Sequence, residues 1–320
     1  MKNVEFEHGR IMLFTTSIHL DKLAHCEALI MDGTFSSAPN GFNQIFTIHG
    51  SVKNGNGHVF VPLAYFLLPN KKEATYEKAF KLLKRAAKQF KIKIDPPIVL
   101  TDFEAAEIKA VASVFPDASR RGCYFHLAKN MWKHIQKLGL ANSYAKSVKC
   151  QMAFRQTEAL AFLDPQEVDQ GLAAIRASAP NTMKPFFDYF EKTYVLGKMK
   201  SSGRRGKPRF APEFWSVKSS TENDMPRTSN AVEGWHNKFG GLFKDRTHCK
   251  FYEVLRAFQQ EEHETSAKYL QNLQGDVLQR PNPKLQIKEE KLKKTLLRRE
   301  IEDMPLFEFI QSIALILQNK

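Results

Sequence analysis

The 320-residue chain predicts an α/β fold, a mixed five-stranded sheet flanked by helices and interrupted by an all-helical stretch before the last helix of the core. Three observations predict it. Apolar runs of strand length come first and end on turn dipeptides, two of them are each followed by a helix as parallel pairing requires, and strand signals cease beyond Leu138.

Ala28 to Met31 (ALIM) closes on Asp32-Gly33, which reads as a buried strand meeting a turn. Gln44 to Val52 and His58 to Leu68 are rich in β-branched and aromatic residues, and Asn54-Gly55-Asn56-Gly57 between them is a hairpin turn signal. From Ala74 to Phe90 the apolar Tyr76, Phe80, Leu83, Ala87 and Phe90 recur at helical spacing among lysines. Pro96-Pro97 stops that helix, Ile98 to Leu100 resumes as a short buried strand, and Thr101 to Glu104 turns into a helix reaching Val114. Arg121 to Phe125 predicts a fifth strand leading into a helix with His126, Trp132 and His134. The order βββαβαβα is the layout of the ribonuclease H fold.

Past Leu138, Ala145 to Ala179 and on to Leu196 keeps helical periodicity. Ser201 to Pro208 is a basic Gly/Ser/Pro loop, and a second helical region runs from Asn230 to about Gln274. Pro281 and Pro283 mark a boundary before a highly charged helix, Lys284 to Glu302, and the apolar Leu306 to Leu317.

Bulk properties narrow the class of function. A hydrophobic fraction of 42% with 25 phenylalanines argues for a folded chain. Forty-eight Lys and Arg against 34 Asp and Glu give a net charge of +14, which favours polyanionic partners, nucleic acid first among them. Cys26, Cys123, Cys150 and Cys249 are far apart and form no CxxC pair, so neither a disulfide framework nor a zinc ribbon is indicated. No signal peptide and no run of 18 apolar residues is present, which points to a soluble intracellular protein without a membrane partner.

Asp32 and Asp102 fall where the first and fourth predicted strands end, and in a mixed sheet of this order those strands are neighbours. Two carboxylates at adjacent strand ends suit Mg²⁺ or Mn²⁺, although Asp-Gly is also a common turn and Asp102 also reads as a helix cap. Glu233 lies in Arg227-Thr228-Ser229-Asn230-Ala231-Val232-Glu233, where Asn230 as cap and Glu233 as its capping-box partner is a complete structural account. Cys123 and His126 have the spacing of half a zinc site, but the other half is missing; His248-Cys249 is a poor candidate, so a buried thiol and a hydrogen-bonded imidazole are expected. Arg204, Arg205 and Lys207 form a loop suited to phosphate contact or to plain solvation. Trp235 reads as core, and His236 beside it is open to a DNA contact or to packing.

Several of these segments together resemble the Mutator-like element (MULE) transposase domain. LIMDGTF is similar to the first-aspartate motif of that family, IVLTDFEAAEIKAVASVFPDA to the second, RRGCYFHLAKNMWK to the Cys-x-x-His segment, and RTSNAVEGWHNKF to the segment with the final glutamate. The resemblance runs in order from Ile11 to Gln274. It implies a catalytic and metal-binding triad of Asp32, Asp102 and Glu233, Cys123 and His126 as an accompanying motif of open role, and a helical insertion that explains the distance of Glu233.

The division it implies is an N-terminal extension (1–25), the first part of a ribonuclease H-like core (26–137), a helical insertion (138–226), a helical completion of the core (227–275) and a charged helical tail (276–320). It further implies a nuclear enzyme using two Mg²⁺ or Mn²⁺ ions for phosphodiester hydrolysis and strand transfer on transposon ends and target DNA. No zinc-binding recognition domain precedes the core, so a truncated or domesticated copy is expected. A silent DNA-binding or regulatory descendant is the alternative, and a ribonuclease H-like nuclease a further one. The charged helix Lys284 to Glu302 reads either as a homo-oligomer contact or as a solvated tail.

Overall fold

A computed structural model describes residues 1–6, 9–54, 57–243, 249–274 and 282–318; Gly55 and Asn56 of the expected turn, His248 and Pro281 lie outside them. The elements of the first part are β1 (Lys2–Phe6), β2 (Gly9–Phe14), α1 (Ser17–His25), β3 (Ala28–Thr34), β4 (Gln44–Asn54), β5 (Gly57–Leu68), α2 (Glu73–Lys88), β6 (Ile98–Thr101), α3 (Ala105–Val114) and β7 (Ser119–Gly122). Helices follow: α4 (Tyr124–Lys137), α5 (Ala141–Lys146), α6 (Val148–Ala159), α7 (Val168–Ser178), α8 (Lys184–Phe190), α9 (Pro212–Trp215), α10 (Lys218–Glu222), α11 (Asn230–Gly241), α12 (Phe251–Leu273), α13 (Pro283–Glu302) and α14 (Leu306–Gln318). The chain divides into two compact units, Met1–Arg121 with Thr228–Arg280, and Gly122–Arg227 with Pro281–Lys320.

The first unit is built on a mixed sheet of seven strands in the order β1-β2-β5-β4-β3-β6-β7. β3, β4 and β5 form the expected antiparallel meander, and β6 adds to β3 in parallel. Two points differ from the sequence expectation. Residues 1–25 are no mere extension: β1 and β2 pair with each other, β2 pairs with β5, and the sheet gains two strands. The fifth predicted strand lies earlier, at Ser119–Gly122, because Tyr124 already begins α4.

Alternation along the strands sorts the core onto two faces. Leu29, Met31 and Val99 point to the larger cluster, built with Leu20 and Leu23 of α1, Tyr76, Phe80 and Leu83 of α2, and Val111 of α3. Ile45, Tyr65 and Leu67 join Trp235 and Phe239 of α11 and Val254 and Phe258 of α12 in a second cluster. Ile30 and Leu100 meet Val232 of α11 in a third.

The second unit is helical and rich in packed aromatics. Trp215 is fully buried, donating its Nε1 proton to the carbonyls of Tyr194 (3.1 Å) and Phe210 (3.2 Å), with the Phe190 ring against it at 5.7 Å. One π-helical turn, Glu191–Val195, follows α8. Residues 282–318 are part of this unit and form no separate tail: Leu292 and Leu296 of α13 and Phe309, Ile310 and Ile313 of α14 are buried. Among the described residues no helix is long and apolar enough to cross a membrane.

α1 carries a buried imidazole. Burial, and then the neighbouring Lys22 ammonium, hold the pKa of His19 down at about 4 against Glu262, which opposes the shift. Between pH 6.5 and 4 the unfolded chain therefore binds a proton that the folded chain refuses. Stability is predicted to fall as pH drops through that window, and His19→Gln should flatten that part of a urea-denaturation profile. An unchanged slope would place the titration elsewhere.

Candidate functional site

The register of β3 with β6 determines where the two aspartates lie. Ala28 pairs with Ile98, Leu29 with Val99 and Ile30 with Leu100; Asp32 lies two residues beyond the last of these pairs on β3, and Asp102 directly follows the end of β6 at Thr101, so both aspartates fall at the same end of adjacent parallel strands. Such strands lie about 4.8 Å apart. Period-two alternation puts Asp32 on the face of Ile30, the face covered by Val232 of α11. The adjacency of the two strands, expected from the order of the elements, is thus present. Each aspartate is also tied to its own turn: Asp32 Oδ1 accepts from the Gly33 amide at 2.8 Å and Asp102 Oδ1 from the Phe103 amide at 2.5 Å.

α11 brings the third carboxylate. The helix begins at Asn230 after Ser229, and the Ser229 side chain makes no cap bond, so Asn230 is not the cap and the expected capping box is not formed. Trp235 holds the helix down, 8% exposed, stacking on Phe239 at 4.6 Å and donating from Nε1 to Glu261 Oε2 of α12 at 2.6 Å. Glu233 is the neighbour of Val232, and His236, three residues on, shares its helix face. His236 Nδ1 stands 3.5 Å from Asp32 Oδ2, and Nε2 lies 3.3 Å from Thr47 Oγ1 of β4. The ring is thus engaged by Asp32 and Thr47, with its side chain only 10% exposed. α11 reaches β3 through a polar contact as well as through Val232.

A fourth carboxylate comes from α3. Glu107 is 3% exposed and its Oε1 has no hydrogen-bond partner. Burial first, then the charges of Asp32, Glu104 and Asp102, push its pKa well above the ordinary carboxylate range. Glu104 beside it is better compensated, by Lys71 at 2.5 Å and by the Tyr76 hydroxyl at 2.9 Å. Tyr76 in turn accepts from Gln44 Nε2 at 3.0 Å, and Gln44 packs against Gly33, where a Cβ would stand 2.4 Å from Gln44 Oε1. Among the described residues no group of three or more His, Cys, Asp and Glu is arranged to hold a metal ion.

The other expected residues lie in the second unit. Cys123 is 1% exposed and is not in a disulfide, and His126 is 7% exposed. Arg227, the first residue of the glutamate segment, pairs with Glu289 at 2.5 Å and lies over the Phe162 ring, while its carbonyl accepts from the Tyr124 amide at 2.9 Å. Arg204, Arg205 and Lys207 are all exposed, and Arg205 Nη2 lies 2.5 Å from Glu191 Oε1. Sequence reasoning did not single out Glu107; its spacing within α3 is that of an ordinary helical residue.

Two outcomes are expected. Gly33→Ala should cost about 1 to 3 kcal/mol, because Gln44 is buried and bonded and has to move; a urea midpoint matching the parent would contradict it. Glu107 favours its protonated form in the folded state, so in EDTA its contribution to stability is lost as pH rises above the ordinary carboxylate range. Glu107→Gln should remove that decline; a decline of equal size in the variant would refute the assignment.

Residues 28–130 match the family model of the MULE transposase domain. Among solved structures, the Drosophila P element transposase strand transfer complex is similar over 93% of this chain and 83% of that one, at 13% identity and a TM-score of 0.28. A comparison with curated proteins finds no match. The segment 28–130, which holds Asp32, Asp102, Cys123 and His126, is a match to the MULE transposase domain, the family that its motifs resemble.

Proposed function

We propose that this chain is a transposase acting on DNA phosphodiesters, with Asp32, Asp102 and Glu233 as the carboxylates of its catalytic site. The observation that supports the reading is the parallel β3/β6 pairing, which sets the strand ends that carry Asp32 and Asp102 side by side, with Val232, the neighbour of Glu233, packed on Ile30 and Leu100. On this reading β3 to β7 with α2, α3 and α11 are the ribonuclease H-like core, β1 and β2 extend its sheet, and the helical second unit is the insertion together with the chain's last helices.

Mg²⁺ or Mn²⁺ would suit these donors by their chemistry, since carboxylate oxygens are hard ligands, and the negative charge of Asp32 and Asp102 is felt by buried Glu107. Two such ions, when bound, would activate a water or a DNA 3′-hydroxyl and stabilise the leaving oxygen. Asp32 and Asp102 would hold them from the sheet and Glu233 from the helix. His236 orients the Asp32 carboxylate and is a positioning residue on this reading, not the DNA contact open to it from sequence. Arg204 and Lys207 would neutralise phosphate without reading sequence, whereas Arg205 is engaged by Glu191.

A catalytically silent DNA-binding protein is the second reading, favoured by the absence of an assembled three-ligand group among the described residues. A nicking assay on supercoiled DNA with Mn²⁺ separates the two. Asp32→Asn, Asp102→Asn and Glu233→Gln should each lose on the order of a thousandfold in rate, and His236→Ala about 10- to 100-fold with weaker Mn²⁺ binding. Nicking by all three carboxylate variants at the parental rate would end the assignment, and metal-independent duplex binding without nicking by the parent would establish the second reading.

A further inference from the structure

The basic segment of the second unit is a built hairpin. Lys200 N donates to Arg204 O at 2.9 Å, Gly206 N to Lys198 O at 2.8 Å and Gly203 N to Lys200 O at 3.0 Å, with Met199 and Arg205 bridged antiparallel. Two glycines fix its shape. Gly203 takes φ +73° at the tip, and Gly197, at φ +74°, lies so close to the returning strand that a Cβ would stand 2.2 Å from the Gly206 carbonyl oxygen. The loop between Lys200 and Arg204 has three residues with a left-handed glycine last, a common hairpin connection.

Pairing then sorts the charges. Met199 and Arg205 share one face, and there Arg205 is held by Glu191 of the π-helical turn, which also pairs with Arg176 at 2.7 Å. Lys198, Lys200 and Arg204 share the other face, where Lys200 lies across Gly206. These three and Lys207 are exposed and make no ion pair with any described residue. From Leu196 to Arg209 there are six Lys or Arg and no Asp or Glu. Such a run of exposed positive charge is complementary to an external polyanion.

We propose that this hairpin enters a groove of duplex DNA by its Ser201-Ser202-Gly203 tip, with Lys200 and Arg204 bonding phosphates on the flanking strands and Arg205 serving as its anchor. The inference rests on the reading of the chain as a DNA-acting protein and adds which surface engages which form of DNA. The dimensions agree: paired strands lie about 5 Å apart, no side chain at the tip exceeds serine, and the major groove is about 12 Å wide and admits a two-stranded ribbon. No aromatic residue lies between Gly197 and Pro208 to stack an unpaired base, and no apolar tip is present to enter a membrane.

The test measures binding of the full chain in EDTA, where no metal-dependent cleavage occurs, to a short fluorescein-labelled duplex across a NaCl titration. Lys200→Ala with Arg204→Ala should reduce the slope of log K against log[NaCl] by about 1.8, two phosphate contacts at about 0.9 each. Lys200→Arg with Arg204→Lys should restore the parental slope. Lys284→Ala with Lys294→Ala, a loss of the same charge from exposed positions on α13, should leave it unchanged. A parental slope in the alanine pair, with its circular dichroism unchanged, overturns the hairpin assignment and leaves the catalytic reading to the nicking assay. An equal reduction in the α13 pair overturns it too, since net charge would then explain both. Binding to heparin but not to duplex overturns it in favour of another polyanion, and a parent that binds no duplex at low salt removes both proposals together.

Discussion

Parallel pairing of β3 with β6 is the constraint on which the site depends. A strand has a period of two, so a slip of one residue would turn Asp32 from the α11 side into the cluster of Leu29 and Met31 and bury a charge among apolar side chains. The apolar residues enforce the register. Leu29, Met31 and Val99 are each at most 1% exposed on one face, while Ile30 and Leu100 are sealed by Val232 on the other. Those five side chains fix the face to which Asp32 turns and the point at which Asp102 leaves β6.

The same face explains how α11 is held. Trp235 brings a large apolar ring against Tyr65 and Phe239 and still satisfies its indole proton on Glu261, so its burial leaves no polar group without a partner. His236 adds a polar contact to β3 through Asp32 and to β4 through Thr47. The carboxylates are where the packing is least favourable. Burial and neighbouring charges act in the same direction on Glu107, whereas Glu104 is relieved by Lys71 and Tyr76.

Much of this was legible in the sequence because the strong signals were local. ALIM before Asp-Gly, the Asn/Gly turn and the lysine-spaced helix of α2 each carry their own periodicity, and they place β3, β4, β5 and α2 to within a few residues. The weaker elements are those whose stability comes from neighbours. β7 reads SRRG, an edge strand with scarcely an apolar side chain, and β1 is a five-residue edge strand that exists by pairing with β2. The hairpin at Met199 and Arg205 depends on glycine torsions, which leave no hydrophobic pattern. Glu233 had a sufficient local account as a capping residue, and only the true start of α11 removes it.

The first unit is made of two stretches of chain separated by residues 122–227. At a synthesis rate of roughly 5–20 residues per second, the ribosome spends on the order of 5 to 20 s on the intervening stretch before α11 begins to emerge. During that interval Ile30, Leu100, Tyr65 and Phe14 are already made, while the helices that cover them are not. A nascent chain therefore carries an open apolar sheet face for seconds, a state that invites pairing with other chains or capture by a holding chaperone. Timing on the ribosome becomes part of how this protein reaches its fold: the sheet face stays uncovered until the segment bearing Glu233 arrives.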